Sequence, residues 1–276
     1  MPTFSQTTFS SFWKRILQFG HAGNNGTPTS VSTIQDGAGV DTAIALSDDQ
    51  FFIRPKNDDN QNVLTVLTNS GNSIFTVDTL YSKVKGGASQ TALNTQYAHF
   101  GVSYTDITGS ASFAADTHYA IPFNYANFGS AAASIAMGSS TSSSFNDTNP
   151  ATSLTISSTA MDIVTAYWYV MDDITIDRVI WWQGADAATG SSTAAYLMGY
   201  SVDAGTTATG GDLSGGVKLA SSSTVTNAGY EQAYYNQMTI HSADVDAGKV
   251  ILFTFCFDDT EATDYTINAT VKFHLK

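Results

Sequence analysis

The last two thirds of the chain contain eight strand-like segments, and this repetition constrains the fold more than any other feature. Each segment is rich in β-branched and aromatic residues, and loops rich in Gly, Asp, Ser and Asn separate them. No long amphipathic helix follows residue 20. The pattern therefore predicts a mainly β chain whose C-terminal part is an antiparallel β-sandwich of jelly-roll-like topology. The segments are residues 97–104, 118–125, 161–170, 174–183, 194–202, 233–241, 249–257 and 265–275.

The middle of the chain predicts a thinner structure. From Val31 to Lys85, short strand-like runs alternate with turn signals, among them the Asn-Ser-Gly-Asn sequence at residues 69–72. Strands this short, spread over about 50 residues, bury little apolar surface of their own. We therefore expect a shaft of β-hairpins whose missing core is supplied by stacking against copies of the same chain.

The N-terminus combines apolar and basic residues, and its spacing predicts a short helix over residues 10–19. Ser10 or Ser11 can cap the helix, and the apolar side chains recur at helical intervals. So short a helix is marginal by itself and has to pack against something. Two interpretations remain open, packing on its own domain and docking on another protein; the Gly-rich tether at residues 21–30 favours docking. The expected anchoring residues are Phe12, Trp13, Lys14, Arg15, Ile16, Leu17 and Phe19.

These patterns divide the chain into three regions. Residues 1–20 form the N-terminal anchor segment, residues 21–90 the linker and β-rich shaft, and residues 91–276 the C-terminal domain. Negative charge is concentrated in the last region: up to Lys85 there are six basic and seven acidic residues, whereas from Gly86 onward there are five and seventeen.

The net charge of −13 argues against nucleic acid as a partner, because phosphate binding needs clustered Lys and Arg. No stretch approaches the roughly 20 apolar residues of a membrane span, so membrane insertion is not expected. The N-terminal segment also lacks the long apolar core of a secretory signal. Charged residues make up only 13% of the chain, which is typical of extracellular or particle-borne β-proteins with neutral polar surfaces.

Catalytic and metal-binding patterns are not found in the sequence. The five histidines are isolated, no HExxH or GxSxG motif occurs, and the lone Cys256 lies in an apolar run typical of a buried strand. We expect no enzyme activity, no cofactor and no metal. Two alternatives stay open for the acidic loops, a glycosidase with two positioned carboxylates and a calcium site. Their densest carboxylates are Asp172, Asp173, Asp177, Asp258, Asp259, Glu261 and Asp264.

Two adjacent aromatic pairs are the candidates for a binding surface. Trp181 and Trp182 are neighbours in one predicted strand, and Tyr234 and Tyr235 are neighbours in another. Neighbouring side chains in a strand point to opposite faces, so one ring of each pair leaves the core side of its sheet. The outward ring can stack on a glycan or pack against a neighbouring subunit, and the sequence does not separate the two.

Three groups of residues carry a resemblance to a known family. They are the opening FWKRIL, the segment NVLTVLTNSGNSIFTVDT followed by YSKVKGGAS, and the C-terminal stretches YEQAYYNQMTI, ADVDAGKVILFTF and DYTINATVKFHL. Together they resemble fibre-like and head-domain virion structural proteins of marine tailed bacteriophages, and the resemblance covers most of the chain. It implies a homotrimer located in the virion. The N-terminus would attach to another virion protein of the capsid, portal or tail, and the C-terminal domain would face outward.

The predicted function is therefore that of a non-enzymatic phage virion protein, a trimeric fibre, spike or capsid decoration protein. The first alternative is a receptor-binding adhesin in which the distal domain recognises host surface glycan. The second is an enzyme that trims host polysaccharide.

Overall fold

The computed structural model describes residues 18–19, 29–35, 40–55, 63–87, 91–104, 112–128, 135–139, 150–154, 163–185, 189–202, 212–228, 232–261 and 264–276. The chain divides into two compact units, Met1–Leu93 (unit 1) and Asn94–Lys276 (unit 2). Both are mainly β, as predicted, and in the described part helical structure is limited to residues 163–166, which include a 3-10 turn at Val164–Ala166. No helix within these ranges is long and apolar enough to cross a membrane.

Unit 1 contains two small antiparallel sheets, in each of which sequential strands are neighbours. The first has the order β1-β2-β3-β4 and the second the order β5-β6-β7-β8. The predicted turn at residues 69–72 joins β5 to β6, and Gly71 there has a φ of +83°, which glycine adopts without strain. The strands are β1 Gln18–Phe19, β2 Ser32–Gln35, β3 Asp41–Leu46, β4 Phe51–Ile53, β5 Leu64–Leu67, β6 Ser73–Asp78, β7 Lys83–Gly86 and β8 Thr91–Ala92.

The helix predicted for residues 10–19 is not confirmed, and the structure describes only two residues of that segment. Gln18 and Phe19 form β1 and pair with β2, Phe19 lying opposite Ile34. Strand pairing gives these backbone groups hydrogen-bond partners that a marginal two-turn helix cannot secure by itself. The other anchoring residues, 12–17, lie outside the described residues, so the anchor remains a prediction.

Unit 2 contains two larger sheets. In the described residues, one has six strands in the order β11-β9-β22-β14-β18 with β20 beside β14. The other has eight in the order β12-β10-β21-β15-β16-β19, with β13 beside β21 and β17 beside β15. The strands are β9 Thr95–Tyr104, β10 Thr117–Ile121, β11 Ala126–Phe128, β12 Ala136–Ser139, β13 Trp168–Tyr169, β14 Ile174–Ala185, β15 Thr189–Val202, β16 Leu213–Ser221, β17 Val225–Ala228, β18 Gln232–Gln237, β19 Thr239–Ile240, β20 Asp244–Val245, β21 Lys249–Phe257 and β22 Tyr265–Leu275.

Pairing in unit 2 follows a simple rule when only the eight principal strands are counted. The first, β9, pairs with the last, β22, and the second, β10, pairs with the seventh, β21. The third and sixth, β14 and β18, pair likewise, as do the fourth and fifth, β15 and β16. All four pairs are antiparallel.

Three of the eight predicted segments differ in detail. Segment 118–125 ends as a strand at Ile121 because Pro122 follows and offers no N–H to a ladder. Segment 161–170 is a strand only at Trp168–Tyr169 in its described part. Segment 233–241 is divided at Met238: β18 belongs to the six-stranded sheet and β19 to the eight-stranded one. Strand β16 was not predicted, because its Gly215-Gly216 pair is typical of a loop.

The two sheets of unit 2 pack face to face around an aromatic core. Phe100 of β9 lies 6.0 Å from Phe253 of β21, measured between ring centroids, and Tyr265 of β22 lies 4.8 Å from Phe257. These rings are almost entirely buried. Each contributes a large apolar area at low conformational cost, so this core accounts for the compactness of unit 2.

Strand β21 is buried on both faces, which explains its continuous apolar sequence. Leu252 and Cys256 belong to a second cluster on the side opposite the aromatic core, together with Met137, Ile163 and Met198. Burial, assisted by Asp116 and Asp258, raises the pKa of the Cys256 thiol to about 12. The interpretation of Cys256 as a small core residue is confirmed.

Candidate functional sites on two exposed sheet faces

The second sheet of unit 1 has one mainly apolar face. Cross-strand neighbours share a face of an antiparallel sheet, and the register places Leu64 of β5, Val77 of β6 and Val84 of β7 in one row. Val66 and Phe75 occupy the next row, where Leu93 packs over Gly86. We call these six side chains, Leu64, Val66, Phe75, Val77, Val84 and Leu93, the apolar face of unit 1.

This apolar face is open to solvent in the single chain. Val66 is 46% exposed and Leu93 is 59% exposed, while the other four members are partly buried. On the reverse face of the same sheet Thr76 and Asp78 are each 1% exposed, whereas Ile74 is 51% exposed. Asp78 forms an ion pair with Lys85 and accepts a hydrogen bond of 3.1 Å from the backbone N–H of Tyr81.

The first sheet of unit 1 also exposes apolar side chains, on both of its faces: Phe52, which lies opposite Ala45, is 46% exposed. Leu46 lies opposite Phe51 and Ile44 lies opposite Ile53, so these four apolar side chains share a face. Phe51 is 62% exposed and Ile44 is 38% exposed. Among the described residues of unit 1 no hydrophobic side chain is buried, and the buried residues are Ser47, Thr76 and Asp78. In a single chain, the described part of unit 1 has no hydrophobic core.

Unit 2 exposes a different kind of surface on the outer side of its six-stranded sheet. Trp182 of β14 lies directly opposite Tyr235 of β18, with ring centroids 5.1 Å apart and ring planes inclined by 56°. Both side chains are half exposed. Their neighbours turn inward: Trp181 is buried in the core, and Tyr234 packs partly buried against it. Of the four aromatic residues predicted for glycan or subunit contact, Trp182 and Tyr235 are therefore available, and Trp181 is not.

A basic group is held beside these two rings. Nη2 of Arg178 donates hydrogen bonds to Oε1 of Gln237 at 2.6 Å and to Oη of Tyr235 at 3.4 Å. Lys272 of β22 lies opposite Arg178, and Tyr97 of β9 lies opposite Lys272. Within the described ranges, neither Arg178 nor Lys272 has a carboxylate partner. Asp177, which directly precedes Arg178 in the sequence, instead contacts the Nδ1 atom of His274 at 3.0 Å.

A further aromatic ring stands on the other side of Trp182. Asn268 of β22 lies opposite Trp182, and Gly101 of β9 lies opposite Asn268. A Cβ atom at Gly101 would lie 2.8 Å from Cδ2 of Tyr125, so the tyrosine ring occupies the space that a larger residue would need. Tyr125 is 53% exposed, and its φ of +77° is unusual for a residue with a side chain.

We call this surface the polar-aromatic face of unit 2. Its members combine exposed rings with amide and cationic groups, and the residues that define it contain no carboxylate. They are Tyr97, Tyr125, Arg178, Trp182, Tyr235, Gln237, Asn268 and Lys272.

The acidic residues at strand ends mainly organise loops. Oδ1 of Asp173 accepts a hydrogen bond of 2.8 Å from the backbone N–H of Ala247, and Oδ1 of Asp258 accepts one of 2.7 Å from Ser192. No group of three or more His, Cys, Asp or Glu side chains suited to a metal occurs among the described residues. The expectations of no metal and no catalytic residue stay predictions.

The histidines are dispersed over unit 2. His99 is exposed and lies 3.2 Å from the hydroxyl of Thr270 through Nδ1, and His241 contacts Ser221. His118 is completely buried, and in the described part of the chain neither of its ring nitrogens has a hydrogen-bond partner. Burial lowers the pKa of His118 to about 4, so the ring is neutral at pH 7.

A comparison of the chain with protein-family models, curated proteins and solved structures found no significant match. The two exposed faces therefore have to be interpreted from their own geometry.

Sequence reasoning missed the polar partners of the exposed rings. Arg178 could have been found, because it stands four residues before Trp182 and shares its face in a strand. Lys272 and Asn268 come from a strand about 90 residues away along the chain, and only the pairing register brings them to this face.

Proposed function

We propose that the chain is a non-enzymatic structural protein of a bacteriophage particle, a trimeric fibre, spike or decoration protein. Unit 1 holds the copies together, the N-terminal segment attaches them to another virion protein, and unit 2 is displayed outward. The viral context rests on the sequence resemblance. The observation that carries the assembly role is the exposed apolar face of unit 1.

For unit 2 we propose a jelly roll. The support is the pairing of its eight principal strands, first with last, second with seventh, third with sixth and fourth with fifth. A long antiparallel hairpin that is rolled up into two sheets has this order, and the jelly roll is built in that way. Such domains occur in viral capsid proteins and lectins, which is compatible with a displayed domain.

Self-association would account for a unit 1 whose described part buries no isoleucine, leucine, valine or phenylalanine side chain. Six apolar side chains on one small sheet form a patch that monomeric soluble proteins rarely leave uncovered. Three identical sheets arranged around an axis would turn their apolar faces toward one another and create the missing core. The ion pair between Asp78 and Lys85 would then lie on the outer side of each sheet.

The test is the molar mass of the full-length protein in solution, with one matched pair of variants. We expect three times the chain mass of 29.3 kDa by light scattering or native mass spectrometry. Val66→Asp places a charge on the apolar face and should yield monomers. Ile74→Asp is the control, because Ile74 is similarly exposed, at 51%, but lies on the reverse face of the same sheet. A monomeric wild-type protein would refute the proposal.

The anchor is tested separately. Deleting residues 1–20 should leave a folded oligomer that no longer incorporates into particles, since the removed segment carries the apolar and basic side chains expected to bind the neighbouring virion protein. Unchanged incorporation of the deleted form would remove the anchor from the proposal while leaving assembly by unit 1 intact.

Glycan recognition is the second candidate function, and the polar-aromatic face favours it. Sugars stack their apolar faces on exposed aromatic rings, and nearby amides bond the hydroxyl groups. Trp182, Tyr235 and Asn268 offer this combination on one rigid sheet. A displayed domain can serve assembly and recognition at the same time, so the two functions are compatible.

A further inference from the structure

We infer that the polar-aromatic face of unit 2 binds an acidic glycan, a saccharide chain that carries carboxylate or sulfate groups. The inference rests on the second candidate function and specifies its ligand class. It does not depend on how unit 1 assembles.

The first support is the arrangement of rings across the sheet. Trp182 and Tyr235 stand on one side of Asn268, and Tyr125 stands on the other side, above Gly101. The strands that carry Trp182 and Gly101 are separated by one strand, so their backbones lie about 10 Å apart. A sugar ring can lie on Asn268 between the two aromatic walls, with its hydroxyl groups in reach of the amide.

The second support is the charge of this face. Unit 2 is strongly acidic, yet two of its five basic residues, Arg178 and Lys272, are neighbours here. The acidic groups at this end of the sheet are already engaged, Asp177 with His274 and Asp244 with Lys276 and Thr175. Counted at this end of the sheet, the three cations Arg178, Lys272 and Lys276 outnumber the two carboxylates Asp177 and Asp244 by one, and this positive charge is complementary to an anionic substituent of a sugar.

The third support is preorganisation. Gln237 and Tyr235 both accept hydrogen bonds from Nη2 of Arg178, which orients the guanidinium and leaves its other N–H donors for a ligand. A guanidinium in a fixed orientation can bind a carboxylate or sulfate through two parallel hydrogen bonds. The unusual φ of Tyr125 and the glycine beneath its ring fix the opposite wall.

Two other occupants fit this face less well. The core of an interface between subunits is depleted of lysine, whereas Lys272 lies opposite Arg178 on this face. Nucleic acid needs many cations to displace counterions, and a chain with a net charge of −13 offers only two at this surface. A short acidic saccharide can stack on the aromatic rings and needs only one or two cations to bind its acidic groups.

The experiment uses the full-length protein on an array of uronic-acid, sialylated and sulfated oligosaccharides, each with its uncharged counterpart, followed by calorimetry on the best binder. We expect an acidic member to bind, and its neutral counterpart to bind more weakly by a factor of about ten or more. Trp182→Ala should weaken binding about tenfold or more, because it removes the stacking surface. Arg178→Gln should reduce the affinity for the acidic glycan to that for the neutral one.

Tyr169→Ala is the control variant, since Tyr169 is 55% exposed but lies on β13 of the other sheet, and it should bind like wild type. Thermal unfolding and molar mass are measured for every variant. Binding of neutral glycans alone, lost in Trp182→Ala, would overturn the acidic ligand and keep glycan recognition. Binding to no glycan, or a change of molar mass in Trp182→Ala, would overturn both, and the assembly role would remain.

Discussion

Unit 2 buries aromatic rings between two broad sheets, whereas unit 1 buries Thr76 and Asp78 and, among its described residues, no isoleucine, leucine, valine or phenylalanine side chain. Both units are made of antiparallel strands, so secondary structure does not separate them. The difference is the depth of the layers: unit 2 has a hydrophobic core buried between its own two sheets, and the described part of unit 1 has none. Similar strand sequences can therefore define a self-sufficient domain or one half of an interface.

The first effect should appear on dilution. If neighbouring copies cover the apolar face of unit 1, its backbone hydrogen bonds lose protection once the assembly dissociates, because dissociation exposes the sheet. Amides of β5, β6 and β7 should then exchange faster by about a hundredfold or more, which corresponds to roughly 2.7 kcal/mol. Amides of β21 and β22 in unit 2 should be unaffected. Hydrogen exchange followed by mass spectrometry at two protein concentrations measures the exchange rates of both sets of amides. If dilution changed the rates in the two units equally, unit 1 would not depend on neighbouring copies more than unit 2 does.

The next effect compares two phenylalanines. Phe255 of β21 is fully buried against other aromatic rings, among them Tyr104 and Phe113, so Phe255→Ala should lower the free energy of unfolding of unit 2 by about 3–5 kcal/mol. Phe75→Ala removes the same ring from the apolar face of unit 1. It should leave the unfolding midpoint of unit 2 unchanged and raise the protein concentration needed for assembly. Denaturant unfolding and light scattering provide the two readouts.

Much of the fold was predictable because unit 2 has strong local signals. The apolar run of β21 and the regular alternation of β14 and β22 identify these strands from composition and period. Strand β16 was not recognised, because two glycines weaken its propensity while pairing with β15 supplies its stability. Local propensity could not predict this tertiary contribution.

The candidate site was predictable only in part. Side chains at adjacent positions in a strand point to opposite faces of the sheet. The sequence therefore shows that Trp181 and Trp182 lie on different faces, but not which of the two faces is exposed. The answer depends on which face of β14 meets the other sheet. The approach of Tyr125 to Gly101 depends on a loop with positive φ values at residues 124–125, for which the sequence has no clear signal.

The stability of unit 2 should depend on pH through His118. The pKa of His118 is lowered to about 4 by burial, whereas an unfolded histidine titrates near 6.5. Between these values the unfolded chain binds a proton that the folded chain excludes, so stability falls as the pH falls from about 6.5 to 4 and this contribution changes no further below that. The loss is on the order of 3 kcal/mol.

His118→Phe tests this effect, since phenylalanine keeps a ring beside Tyr196, whose centroid is 5.1 Å from that of the imidazole. The difference in the free energy of unfolding between pH 7 and pH 4 should be smaller in the variant than in wild type by about the same amount. NMR titration of the imidazole checks the assignment. Equal pH dependence of the two proteins would mean that His118 is solvated in the folded state.

The smallest effect concerns an exposed ion pair of unit 2. Nζ of Lys276 lies 3.3 Å from Oδ1 of Asp244, and the pKa of Asp244 is lowered chiefly by the hydroxyl of Thr175, with Lys276 assisting. Lys276→Ala should change the free energy of unfolding by about 0.5 kcal/mol or less, because a solvated pair gains little Coulomb energy. Denaturant unfolding at low and high salt measures it. A loss well above 1 kcal/mol would mean that surface charge, and not the aromatic core alone, holds unit 2 together. The two units would then resemble each other in this respect, because unit 1 also has an ion pair, formed by the buried Asp78 and Lys85.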